Sequence, residues 1–107
     1  MKKGQTIFVK VTVGTHHISG YKGKIIYVTK KDGEIKSIRL DVSEQFSTRE
    51  GLSTKSYLRT FNVENKLVYE VFENRDDFVE SVTHALRNLC IIFQKSITEL
   101  STSFLVF

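Results

Sequence analysis

The chain has 107 residues, of which 40% are hydrophobic and 26% charged, with one cysteine, no proline and no tryptophan. That length makes one domain around one core, and a lone thiol excludes an intrachain disulfide, so the composition suits a reducing cytoplasm. The formal charge of +4 is unevenly spread: residues 1–40 carry nine Lys/Arg against two acids, net +7, and residues 41–107 carry seven against ten, net −3.

A basic first half points to an anionic partner, while the plainer reading of the same lysines is a solvated surface. The segment Met1-Lys2-Lys3-Gly4 is basic, but the residues after it alternate and are interrupted by Lys10, which fits neither a signal peptide nor a membrane span. Residues 6–13 read as a strand, with Ile7, Val9, Val11 and Val13 on one face and Phe8, Lys10 and Thr12 on the other. Residues 14–23 read as a loop in which Gly14, Gly20 and Gly23 permit positive φ.

Residues 24–30 predict a second strand and 34–42 a third, joined at Asp32-Gly33, a pair that tolerates the positive φ of a type I′ hairpin turn. Ile35 falls out of phase with Ile38, Leu40 and Val42, which predicts a bulge near Lys36 or Ser37. Residues 43–54 are polar and weakly patterned and read as the one long, mobile loop. Residues 55–63 and 66–72 predict a second hairpin about Glu64-Asn65, completing five antiparallel strands in a partly open barrel over residues 1–73.

At Asn74 the period changes to that of a helix, with Asn74 as its cap and Asp76 and Asp77 in its first turn. One apolar seam is Phe78, Val82, Ala85, Leu89 and Ile92, and beside it runs Val79, Leu86, Cys90, Phe93, Ile97 and Leu100. A helix over 75–100 is about 39 Å long, against roughly 34 Å for the width of a compact chain of this size. The excess implies a homodimer or higher oligomer whose interface includes Leu86, Cys90, Phe93, Ile97 and Leu100, with the apolar tail 101–107 docked rather than left in water.

The segment Gly4-Gln5-Thr6-Ile7-Phe8-Val9, taken with Gly20-Tyr21-Lys22-Gly23-Lys24-Ile25, resembles the KOW motif of SH3-like barrels in ribosomal and transcription proteins. The resemblance implies an SH3-like barrel and contact with RNA or a nucleic-acid machine; with the helix read from the change of period, the expected class is α+β, a five-stranded barrel followed by one long helix.

His16, His17, Tyr21, Lys22 and Lys24, with Lys30 and Lys31 at the far end of the second strand, combine cations for phosphates with rings that stack on bases. Arg39, Arg59 and the Tyr57 face offer a second arrangement, a pocket between protomers for a small anionic nucleotide. Adjacent His16 and His17 point to opposite sides of an extended segment and make no metal site. His84 falls at the edge of the helix's apolar face, and Cys90 lies within it as a small hydrophobe. No G-x-S-x-G elbow or phosphate-cradling loop occurs, so the sequence reads as a non-enzyme without cofactor or metal. Two functions compete: a binding module for nucleic acid or another polyanion, and a phage or mobile-element counter-defence protein that binds a host protein or sequesters a small nucleotide.

Overall fold

The computed structural model describes residues 1–14 and 17–89. His16, Cys90, Phe93, Ile97, Leu100 and the tail 101–107 lie outside the described residues. The described chain is α+β: strands β1 (Thr6–Val13), β2 (His17–Lys31), β3 (Glu34–Ser47), β4 (Gly51–Ser53), β5 (Tyr57–Asn62) and β6 (Tyr69–Phe72), then helix α1 (Arg75–Leu89). All pairings are antiparallel, in the order β4-β3-β2-β1-β6, with β5 on the same edge of β3 as β4 but further along it.

The sheet has six strands rather than the expected five and is not closed into a barrel. Residues 55–63 and 66–72 do not form a hairpin with each other: β5 pairs β3, and β6 pairs β1. Between them, Asn65 organises a turn by accepting N–H bonds from Leu67 at its side chain and from Val68 and Tyr69 at its carbonyl. The two strands then approach through side chains alone, Phe61 and Tyr69 meeting edge to face at 6.4 Å.

Bulges decide which residues face which layer. Asp32 (φ 53°) and Gly33 (φ 82°) make the expected tight turn. Beyond it, Thr29 pairs Ser37 and Lys30 pairs Ile35, so Lys36 is the extra residue and Ile35 shares a core with Ile38 despite their odd spacing. A second bulge at Ser43, between the pairs Lys22–Glu44 and Gly23–Val42, reverses the phase: Val42 faces one core and Phe46 the other. Residues 43–54 are therefore mostly strand, the end of β3 and β4, where a loop was expected.

Residues 17–23 are likewise strand. Gly14 has a positive φ of 65°, but Gly20 and Gly23 serve close approach instead. A Cβ on Gly23 would lie 2.6 Å from the Asp41 carbonyl oxygen, and one on Gly20 would lie 2.5 Å from the Phe78 ring.

Two apolar layers result. On the inner face, Ile7, Val9, Val11, Ile25, Ile38, Leu40, Val42, Phe61 and Val63 pack as the sheet curls on itself. On the outer face, Phe8, Ile18 and Phe46 receive Phe78, Val82 and Leu86 of the helix. An isolated helix of this length is marginal in water, whereas burying three such side chains contributes on the order of 5 kcal/mol, so docking is what fixes it. The Asn74 side chain caps it as expected, accepting from Asp76 N–H at 2.7 Å and Asp77 N–H at 3.3 Å. Leu86, expected at an interface between protomers, is instead fully buried in the chain's own core, because it falls four residues after Val82 on the docked stripe. Among the described residues, no helix is long and apolar enough to cross a membrane.

Candidate ligand-binding site

The register of β2 against β3 sorts the expected site residues onto different faces. Lys22 pairs Phe8 on one side and Glu44 on the other, which turns it into the layer beneath the helix. It is only 6% exposed, with its Nζ 3.5 Å from Glu44 Oε1. A lysine so placed neutralises a largely covered carboxylate and does not reach a phosphate in solution. Glu44 Oε2 is buried without a hydrogen-bond partner among the described residues, so the pair is incompletely satisfied. Lys10 lies on the same face, its Nζ donating to Ser81 Oγ at 2.9 Å.

The bare part of that outer face lies beyond the helix, on the outer half of the β2–β3 hairpin. Lys24 and Lys31 are exposed there, Lys36 is exposed at the bulge, and Lys30, paired with Ile35, is exposed at the hairpin tip but on the other face. The extra residue at Ile26 turns Tyr27 outward, half exposed and directly paired with Arg39, which donates to Thr60 Oγ1 at 2.9 Å. Reciprocal hydrogen bonds between the 4–5 segment and Ile25 hold that segment beside β2; Lys2 and Lys3 just before it are exposed, and the amino group of Met1 lies 3.8 Å from Glu73 after β6. An exposed aromatic ring among cations is the arrangement that sequence reading assigned to Tyr21. The signal was present in the run Lys24-Ile25-Ile26-Tyr27, but simple alternation places Tyr27 with Ile25, on the inner face, and only the bulge reverses it.

Tyr21 itself faces inward, 8% exposed, its ring packed on Phe61 at 4.9 Å. Arg59 of β5 lies over both rings, with its guanidinium carbon 4.7 Å from the Tyr21 centroid and 5.0 Å from that of Phe61. Its Nη1–H donates to the Tyr21 hydroxyl at 2.7 Å. Tyr57, one turn of the pleat earlier on β5, donates its hydroxyl to Gln45 Oε1. Partial burial of Arg59 acts to lower its pKa, but the charge and hydrogen-bond interactions with the Tyr21 and Tyr57 phenols outweigh it, and the pKa lies above the ordinary guanidinium value. Arg59 is thus a permanent cation at the polar end of the inner face.

His17 sits apart from both groups, its Nε2 3.5 Å from Ser19 Oγ. The structure therefore joins Tyr21 to Arg59, groups Lys24 and Lys31 with Arg39 on the outer face, turns Lys30 to the other face at the hairpin tip, and removes Lys22 from either set. Arg39 and Arg59 are on opposite faces and do not share a pocket within one chain. Among the described residues, no group of three His, Cys, Asp or Glu side chains could hold a metal ion. Compared with known proteins, the chain matches no family model, no curated protein and no solved structure.

Proposed function

We propose that the protein is a non-catalytic binding module that contacts nucleic acid or another polyanion through the outer half of the β2–β3 hairpin and the adjoining N-terminal segment. The observation that carries this reading is the number of exposed cations on the hairpin that bears Tyr27 and on the segment before β1. Lys2, Lys3, Lys24, Lys30, Lys31 and Lys36 are all exposed, and Arg39 pairs Tyr27 directly. Asp32, Glu34 and Asp41 are interspersed and leave an excess of positive charge. Lysines on a flexible stem neutralise phosphates without regard to sequence, and a phenol ring among them supplies a stacking surface that any base can use. The resemblance to KOW-type barrels points the same way.

The direct test is charge reversal on the hairpin. Lys24→Glu with Lys31→Glu weakens binding to single-stranded RNA and DNA across unrelated sequences and leaves thermal unfolding unchanged, since both side chains are solvated. Wild-type affinity in that double variant contradicts the reading.

A further inference from the structure

The polar end of the inner face is a second, separate feature, and its hydrogen-bond inventory is unbalanced toward donors. Tyr21 of β2 and Gln45 of β3 are direct cross-strand partners, and Tyr57 and Arg59 of β5 reach them from the other side of β3. Among the described residues, no carboxylate lies within ion-pair distance of Arg59, whose hydrogen-bond partner is the Tyr21 hydroxyl. The Tyr21 oxygen accepts from Arg59, so its own proton is directed elsewhere, and no described acceptor takes it. Gln45 uses its carbonyl oxygen to accept from Tyr57, which fixes the amide orientation and leaves its two N–H donors aimed away with no described acceptor. A partly buried cation flanked by unused donors is costly in the absence of an acceptor and is the arrangement that recognises an oxyanion.

We propose that this cluster is a receptor for one phosphate group, held by the Arg59 guanidinium, the Tyr21 hydroxyl and the Gln45 side-chain amide. The packing of Arg59 on the Tyr21 and Phe61 rings pre-sets the guanidinium plane, so little ordering is left to do when the ligand arrives. Phosphate fits better than carboxylate because it offers several acceptor oxygens to three separately directed donors. The group belongs either to a free nucleotide or to the backbone of a nucleic-acid strand. The site does not depend on Lys24 and Lys31, which lie on the opposite face of the sheet, so either surface can fail while the other stands.

The test is a titration of isotopically labelled full-length protein, followed by the Arg59 side-chain N–H resonance and the backbone amides of Tyr21, Gln45 and Tyr57. Inorganic phosphate, adenosine monophosphate and a short oligothymidylate are the probes, with sodium chloride at matched ionic strength as the reference. Saturable shifts at these four residues with phosphate compounds, absent with chloride, are the expected result. Tighter binding of the mononucleotide than of the oligonucleotide assigns the site to a free nucleotide, and the reverse order assigns it to a strand.

Arg59→Lys, which keeps the charge but loses the planar fork, weakens phosphate binding by about tenfold. Gln45→Leu leaves the Arg59–Tyr21 packing in place and weakens it as well, which covers the case in which the Arg59 variant does not fold. Chloride shifts equal to those of phosphate, shifts confined to Lys30 and Lys31, or unchanged affinity in Gln45→Leu would overturn the proposal.

Discussion

Phe78 of the helix rests directly on Gly20 of β2, its ring tip 2.5 Å from the point a Cβ would occupy. The ring cannot swing aside, because Phe8 stacks on it at 5.1 Å and Phe72 meets it edge on at 5.9 Å. Gly20→Ala therefore overpacks the outer layer and lowers stability by about 1–3 kcal/mol in urea unfolding. In the double variant with Phe78→Leu, the added loss from Gly20→Ala shrinks, since the smaller side chain no longer reaches the methyl group. An additive pair of losses would show that the contact is not what makes glycine necessary here.

Lys22 and Glu44 predict an asymmetric pair of outcomes. Lys22→Met strands the largely covered Glu44 carboxylate and costs about 3–5 kcal/mol. Adding Glu44→Leu removes the orphaned charge and restores most of that stability, measured by the same unfolding transition. Any loss of nucleic-acid binding in Lys22→Glu is then an effect on folding, visible as a lowered melting temperature, rather than the loss of a phosphate contact.

Asn74 accepts two backbone N–H groups at the start of the helix, so Asn74→Ala costs about 1 kcal/mol. Asn74→Asp retains the acceptor and adds charge favourable to the helix dipole, and its stability stays at or above that of the wild type. Thermal unfolding of both variants checks the cap.

Tyr27→Ala leaves stability nearly unchanged, because the ring is half exposed, but it removes the stacking surface among the lysines. Binding of single strands weakens by about 1–3 kcal/mol, whereas duplex binding, which offers no splayed base, changes little. Equal losses for both, measured by fluorescence anisotropy, would assign Tyr27 a purely structural role.

Local signals in the sequence carried a good part of this fold. The first strand, the Asp32-Gly33 turn, the bulge at Lys36 and the Asn74 cap are each set by a few neighbouring residues, and each stands where the chain pattern indicated. Features that depend on partners distant in sequence were not legible. Gly20 and Gly23 read as loop punctuation because glycine also serves turns, and their roles appear only when Phe78 and Asp41 arrive beside them. The Ser43 bulge reversed the phase of Phe46, so that a continuing strand read as irregular. In the candidate sites, charge was legible but orientation was not. Lys22 and Lys24 look equivalent in sequence, yet the helix covers one and leaves the other in water. Arg59 finds Tyr21 across the curled sheet, a partnership that no local pattern encodes.

Polyanion binding by the hairpin is tested most directly by the affinity of the wild-type protein for a single-stranded oligonucleotide as a function of salt. Binding through exposed lysines gives a linear fall of log affinity against log salt, with a slope of about −3 if four of the hairpin and N-terminal cations displace counterions. Lys24→Glu with Lys31→Glu flattens that slope. No detectable binding at about 50 mM salt, where phosphate-driven association is strong, or an affinity independent of salt, would contradict a polyanion-binding role for the hairpin.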